Sequence, residues 1–333
     1  MIVNVLDKTL TKSRDAMPNI AVFNLTVRQI DALKLPKHSG SMLRGAFGHA
    51  LRELCCITDL ADCSQCPLNQ ACRYTYIFET QLLNIANRQK ASNPYIIIPP
   101  KIHQINIKPT QIWRFGVVLL GEAIKDYVLI FKAWEQALRT GLGSGKERAC
   151  GELIKVSNQA QTVFDKKTNP FNLADWQIKR IIKPPSISKL SKITLHFLTP
   201  FRLQQEGKIA FHKNQLVPKN LLINLYNRIQ QCNQQHDSET KWQTSYGLFS
   251  EFLADIEQLT IRVEVEPEKV IRRSSRQNQK IQLFGLSGDI QLIASSEILE
   301  RLLPLLWIGQ YLHVGKSTTL GLGQYQLQIF QSS

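Results

Sequence analysis

One order of elements occurs twice in this 333-residue chain, and it limits the available folds more than any other feature. Glu122 to Arg139 reads as a helix, with Ile124, Tyr127, Val128, Phe131, Trp134 and Leu138 on one face. Gly141, Gly143 and Gly145 stop it, the loop to Gly151 carries Lys146 and Arg148, and a strand starts at Glu152. Near the end, Ser295 to Leu306 reads as a helix and Gly309 to Gly323 as a glycine-rich loop holding His313 and Lys316. Leu322 to Phe330 reads as a closing strand. Helix, glycine-basic loop and strand therefore recur, which fits two β-α-β-β-α-β units. The expected class is α+β: two tandem ferredoxin-like (RRM-like) domains with glycine-rich loops, over 1–165 and 191–333, joined by a basic connection at 166–190.

The remaining segments are read against that frame of two units. Ile20 to Leu33, Arg73 to Leu83, Tyr95 to Ile98 and Gln111 to Leu120 read as strands, and Met42 to Leu54 as a helix after a loop at Pro36 to Ser41. In the second half Ile193 to Phe197 and the alternating Ile261, Val263 and Val265 read as strands. Pro218 to Ile229 and Ser245 to Leu259 read as helices, separated by a polar stretch. Ile281 to Ile293 reads as a hairpin with Gly285 and Gly288 near its turn.

Charge narrows the partner. The 41 Lys and Arg against 26 acids give a net +15, which suggests an anionic partner, nucleic acid or a membrane surface. A spanning helix needs an apolar run of roughly 18 residues, and the sequence has none. Met1 to Asn19 has no apolar signal core, so a cytoplasmic, reducing setting is expected. The positive charge is concentrated. Lys166 through Lys192 holds seven Lys or Arg against Asp175 alone, and Lys269 to Gly288 holds Lys269, Arg272, Arg273, Arg276 and Lys280 with no acid. The second run is read as a phosphate-binding surface, the kind of contact that gives affinity and position.

The C-terminal loop invites a nucleotide-binding reading, because Gly315-Lys316-Ser317 resembles the end of a P-loop. That motif places four residues between its first glycine and the Gly-Lys pair. Here Gly309 and Gly315 enclose five, and a helix precedes the loop where a strand is required. Successive backbone N–H groups of Gly315 to Gly323 are instead expected to form a concavity for phosphate.

Two further constellations carry chemistry. In the first helix Leu43, Phe47, Ala50 and Leu54 form one stripe, and His49 points off it beside Gly45 and Arg52. Arg44 and the helix N-terminus are placed to hold a phosphate. Cys56, Cys63, Cys66 and Cys72 follow within seventeen residues, with Cys55 adjacent to the first. In a reducing compartment such a set argues for thiolate metal ligation, most simply a structural zinc, with an iron–sulfur cluster or free thiols as the alternatives.

Leu43-Arg44-Gly45-Ala46-Phe47-Gly48-His49, Gly285-Leu286-Ser287-Gly288-Asp289-Ile290, Leu303-Pro304-Leu305-Leu306, His313-Val314-Gly315-Lys316 and Gly321-Leu322-Gly323 resemble segments of the CRISPR repeat-RNA processing endoribonucleases of the RAMP superfamily. The likeness is to their cysteine-containing subset, and is strongest over 43 to 79 and 272 to 325. It implies metal-independent cleavage of repeat transcripts by 2′-OH attack, leaving a 2′,3′-cyclic phosphate, with no cofactor for catalysis. It places the catalytic histidine at His49, with His38 second; Lys37 or Arg44, by proximity in sequence, is expected to stabilise charge. RNA contacts are expected from Arg44, Arg52, Lys146, Arg148, Arg272, Arg273, Arg276, His313, Gly315, Lys316, Gly321 and Gly323. CRISPR repeat RNA is the implied partner, with effector or adaptation proteins beside it. The alternatives are a non-catalytic RNA-binding RAMP subunit and a zinc-stapled protein–protein adaptor.

Overall fold

The computed structural model describes residues 17–80, 92–100, 105–143, 148–168, 178, 180–181, 183–236, 245–274 and 279–332. The first half contains β1 (Ile20–Gln29), β2 (Leu33–Lys34), α1 (Gly40–Cys55), α2 (Arg73–Phe78), β3 (Tyr95–Ile98), β4 (Asn106–Ile107), β5 (Ile112–Leu120), α3 (Tyr127–Thr140), β6 (Gly151–Asn158) and β7 (Gln161–Asp165). The second contains β8 (Leu190–Phe197), β9 (Gln204–Gln205), β10 (Lys208–Ile209), α4 (Pro218–His236), α5 (Phe249–Glu257), β11 (Thr260–Ser274), β12 (Gln279–Ile293), α6 (Ser296–Leu312) and β13 (Tyr325–Gln331).

The N-terminal sheet runs β3-β5-β1-β6-β7 and the C-terminal sheet β11-β12-β8-β13, both antiparallel. Counting only the four strands of each β-α-β-β-α-β unit, both orders are second, third, first, fourth, the ferredoxin-like arrangement; β7 is an addition to the first. Side chains alternate across a strand, and β1 uses both faces. Ala21, Phe23, Leu25 and Val27 pack under α1 and α3, where Phe47 stacks on Trp134 with ring centroids 4.9 Å apart. Ile20, Ile96, Val118 and Leu120 turn the other way and share a core with Leu221, Leu225 and Ile229 of α4. The two units therefore meet through apolar side chains.

Several elements differ from the sequence expectation. Arg73 to Phe78 is a short helix, not the start of a strand; the aromatic-rich segment packs Phe78 onto α1 so closely that a Cβ on Gly48 would lie 2.1 Å from its ring. Residues 81–83 of that expected strand lie outside the described residues. α4 continues past Ile229 through the polar stretch to His236, because Cys232 is buried and His236 Nε2 meets the Ser92 carbonyl at 2.6 Å. Gln161–Asp165, just before the expected connection at 166–190, is the extra strand β7.

The expected hairpin within Ile281 to Ile293 is one continuous strand. β12 pairs over its whole length with β11, from Thr260↔Ile293 to Ser274↔Gln279. Gly285 marks no turn there. It lets Pro200 to Arg202 approach, since a Cβ would lie 2.7 Å from the Phe201 carbonyl oxygen, and Phe201 and Leu286 exchange two backbone hydrogen bonds of 2.9 Å.

Candidate functional site

α1 begins where the two units touch. A Cβ on Gly40 would lie 1.8 Å from the Leu320 carbonyl oxygen, and one on Gly321 would lie 2.4 Å from Pro99. Gly321 also has φ of +79°, a region side chains seldom adopt. The C-terminal glycine-rich loop is thus wedged between the start of α1 and the end of β3. It is a joint, and this corrects the expected phosphate concavity. The N–H groups of Val314, Gly315, Lys316, Leu320, Gly321 and Gly323 already donate to Gly323 O, Asn224 Oδ1, Arg202 O, Ser317 O, Thr318 O and Pro200 O. Gly315, Gly321 and Gly323 therefore present no free N–H to RNA.

His313 is corrected in the same way. It is completely buried at the end of α6. Burial, then the nearby Arg228 guanidinium, pushes its pKa down to about 3, against a weaker opposing effect of the Leu322 backbone. A neutral, enclosed imidazole cannot meet a phosphate from solvent. Only Lys316 of the expected loop contacts is exposed.

The loop before α1 holds a cluster. His38 Nε2 lies 3.0 Å from Glu268 Oε1 of β11, and the Lys37 ammonium lies 2.6 Å from the same oxygen. The Ser287 hydroxyl of β12 donates to Glu268 Oε2. Burial opposes ionisation of Glu268, but the hydrogen bonds from Lys37 and Ser287 and the charges of His38 and Lys37 outweigh it and hold the carboxyl below its usual value. For His38 burial is the largest influence; it lowers the pKa, Lys37 lowers it further, and Glu268 opposes both. The imidazole side chain is 11% exposed and Lys37 is 54% exposed. A mostly neutral histidine is thus oriented by a carboxylate, beside an accessible cation.

His49 stands elsewhere. It is 61% exposed and ion-paired with Glu53 at 3.1 Å, one turn along the same helix. Glu53 also accepts from Gln136 of α3. Nine residues at 1.5 Å each put His49 about 13 Å along α1 from Gly40. The structure brings Lys37 and His38 together at the joint and leaves His49 on a remote face.

The expected cations divide likewise. Arg44 lies over the Phe78 ring at 4.2 Å. Arg272 lies close enough to Arg44 to be depressed by it, after burial as the main cause. Arg52 is held at the cysteine segment: its guanidinium donates to the Leu60 and Ala61 carbonyls and so ties that segment to α1. Arg148 is exposed on the second glycine loop, which closes where Leu142 pairs with Ala149. Lys146, Arg276 and the Arg273 side chain lie outside the described residues.

Cys55, Cys56, Cys63, Cys66 and Cys72 all line one cavity of about 340 Å³. All are free thiols. Hydrogen bonds from the Thr58 and Asp59 backbones hold Cys56 below its usual pKa, whereas burial pushes Cys55 up to about 11. Burial raises Cys63 as well, so titration does not choose between Cys55 and Cys56, and the expected set Cys56, Cys63, Cys66 and Cys72 lines the cavity together with Cys55. Among the described residues no three His, Cys, Asp or Glu side chains are drawn into a metal-holding arrangement. The thiols converge on a shared space without meeting at one point.

Glu268 and Ser287 are absent from the expected site. Glu268 sits one residue before the acid-free run read from Lys269, as the last of a Glu264, Glu266, Glu268 series, and nothing local distinguishes it. Its importance comes from a contact 230 residues away.

Comparison with known proteins gives the following. Residues 195–325 match the family model described as CRISPR-associated endoribonuclease Cas6, and residues 17–175 match one described as an N-terminal domain, AF_1859_N. An uncharacterized protein of Archaeoglobus fulgidus is 23% identical over 299 residues, 88% of this chain and 93% of that protein. Among solved structures, a partial Cas6-RT-Cas1–Cas2 complex aligns with a TM-score of 0.56 and 13% identity over 95% of this chain and 47% of that one, about half its length. A Cas6 product complex aligns with a TM-score of 0.52 and 16% identity, over 94% of this chain and 100% of that one. Thermus thermophilus Cas6 aligns with a TM-score of 0.50 and 15% identity, with the same coverages.

Proposed function

We propose, from the match of residues 195–325 to the model described as CRISPR-associated endoribonuclease Cas6, that this is a Cas6-type chain of the RAMP superfamily and that it cuts CRISPR precursor transcripts within their repeats. The ribose 2′-oxygen attacks its adjacent phosphorus and the bond to the 5′-oxygen breaks. The products are a 2′,3′-cyclic phosphate and a 5′-hydroxyl. A base takes the 2′-proton, an acid returns a proton to the 5′-oxygen, and a cation offsets the charge on the phosphorane.

His38 is assigned as the base. The observation that carries this is the His38–Glu268–Lys37 cluster at the joint, 3.0 and 2.6 Å apart. A histidine held neutral near pH 7 is ready to accept a proton. Glu268 fixes which ring nitrogen faces the substrate, and Lys37 supplies the charge. His49, in a solvated pair with Glu53, is the rival. RNA is selected by the chemistry, since a deoxyribose has no nucleophile. This chain's own residues handle every proton and charge in the step; the zinc proposed for Cys56, Cys63, Cys66 and Cys72 acts only by cross-linking the segment after α1. Repeat RNA and, by likeness to the Cas6-RT-Cas1–Cas2 complex, adaptation proteins are the proposed partners. The enclosure of His38 favours a second reading, in which the cluster is an interdomain staple in a non-catalytic RNA-binding subunit.

The test is incubation of the protein with the repeat RNA of its own array in excess EDTA, beside a copy with deoxyribose at the cut site. One cut bearing a cyclic phosphate, lost in the deoxy copy, is expected. His38→Ala is expected to slow it about 10²–10⁴-fold with RNA binding kept, and His49→Ala to cut nearly as wild type. Loss of cleavage in His49→Ala alone moves the base there; binding without any cut supports the staple.

A further inference from the structure

A glutamate side chain has several torsions to settle before it can aim another group. Glu268 stands on β11 directly opposite Gly285 of β12. Gly285 has no side chain to hold it, and the place where one would stand is taken by the Phe201 carbonyl oxygen. Residues two apart on a strand share a face. The next residue of β12 on that face is Ser287, opposite Glu266 and diagonal to Glu268. Its hydroxyl donates to Glu268 Oε2. Leu286, between the two, turns into the core. One carboxylate oxygen is therefore taken by β12. The other, Oε1, is turned to the loop before α1, where it meets Lys37 at 2.6 Å and His38 at 3.0 Å.

The same contacts name the working nitrogen of His38. An ionised carboxylate only accepts hydrogen bonds, so the ring nitrogen that meets Oε1, Nε2, carries the proton of the neutral imidazole. Nδ1 then holds the lone pair, and it has no hydrogen-bond partner among the described residues.

We propose that Ser287 is a positioning residue for cleavage: it fixes Glu268, and Glu268 fixes His38 so that Nδ1 takes the 2′-proton. As the 2′-oxygen bonds to phosphorus its proton passes to Nδ1, and the imidazolium so formed keeps its Nε2–H on the carboxylate. The inference rests on the RNA-processing reading and its choice of His38. It gives the Gly285-Leu286-Ser287-Gly288 segment a part in that chemistry, at one remove from the substrate.

The test follows single-turnover cleavage of repeat RNA in EDTA against pH. Ser287→Ala is expected to lower the plateau rate roughly 10- to 100-fold, the worth of a hydrogen bond to a charged group. The RNA concentration giving half the maximal rate is expected to stay unchanged. Burial and Lys37 lower the His38 pKa and Glu268 raises it; held less closely, Glu268 raises it less, so the acid limb is expected to move to lower pH. Ser287→Thr keeps the hydroxyl and is expected to restore both rate and limb. In a Glu268→Ala background, Ser287→Ala is expected to cost nothing further, since no carboxylate is left to hold. A limb that does not move down, or an equal further loss in that background, overturns the positioning role. So does a lowered melting temperature with rate and limb unchanged, which leaves Ser287 a part of the staple.

The His38 ring is titrated in parallel by nitrogen-15 NMR in protein without RNA. The neutral wild-type ring is expected to carry its proton on Nε2, and its titration to move to lower pH in Ser287→Ala. A proton on Nδ1 overturns the assignment of the base atom. If no RNA is cut while these NMR results hold, the proposed endonuclease is lost and the hold of Ser287 on His38 remains.

Discussion

At the scale of residues, histidine placement decides the chemistry. Burial and Lys37 lower the His38 pKa and Glu268 raises it. A base works in its neutral form, so the acid limb of the cleavage rate is expected below the ordinary histidine value of about 6.5. Glu268→Gln removes the group that raises the pKa. Its limb is expected to move to still lower pH with a reduced plateau, read from single-turnover rates; a purely structural Glu268 would lower the plateau and leave the limb in place. His313 supplies a stability prediction. Its folded pKa is about 3, and its unfolded value is about 6.5. Below about 6.5 the unfolded chain binds a proton that the folded chain does not, so stability falls as pH drops through that window, by up to about 1.4 kcal/mol per pH unit. Urea denaturation across pH 4 to 7, within that window, is expected to show a shallower slope for His313→Asn than for the wild type.

At the scale of elements, the glycine-rich loop is expected to respond to size before charge. Gly321→Ala places a methyl against Pro99 and the Ile97 carbonyl, at a φ of +79°. Backbone strain of this kind costs about 1–3 kcal/mol, and the clash adds to it. A clearly lower melting temperature is expected, whereas Lys316→Ala, exposed on the same loop, is expected to melt as wild type and bind RNA less tightly. The sequence made this loop visible and mislocated its purpose, because φ and close approach show up as glycine whether the neighbour is a phosphate or a backbone. The repeated β-α-β-β-α-β order was readable, since α3 has a clean apolar stripe and β5 a continuous apolar run. α2 was not: Tyr74, Tyr76, Ile77 and Phe78 have strand propensity, and packing against Gly48 overrode it. Nor was the long β11–β12 ribbon, because the glycines inside β12 imitate a turn.

At the scale of the molecule, the two units share a core, and the proposed site lies where they join. Its histidine and cation come from the loop before α1 and its carboxylate from β11, and no local pattern links Lys37, His38 and Glu268. Charge was legible as a total and illegible as an arrangement. The cysteine cavity is tested at this scale too. Protein purified without chelators is expected to contain about one zinc per chain by elemental analysis. Cys63→Ser is expected to lose the metal and destabilise the segment after α1, while Cys55→Ser is expected to retain it. Metal-free wild-type protein of unchanged stability would remove zinc from the account.

His38 and Glu268 are 230 residues apart in the chain. During synthesis the histidine emerges early and its carboxylate late, after the N-terminal sheet has had its chance to fold. On the proposed assignment a nascent or truncated chain can display the imidazole without aiming it. Cutting power then appears only once β11 has been made and has paired with the loop before α1.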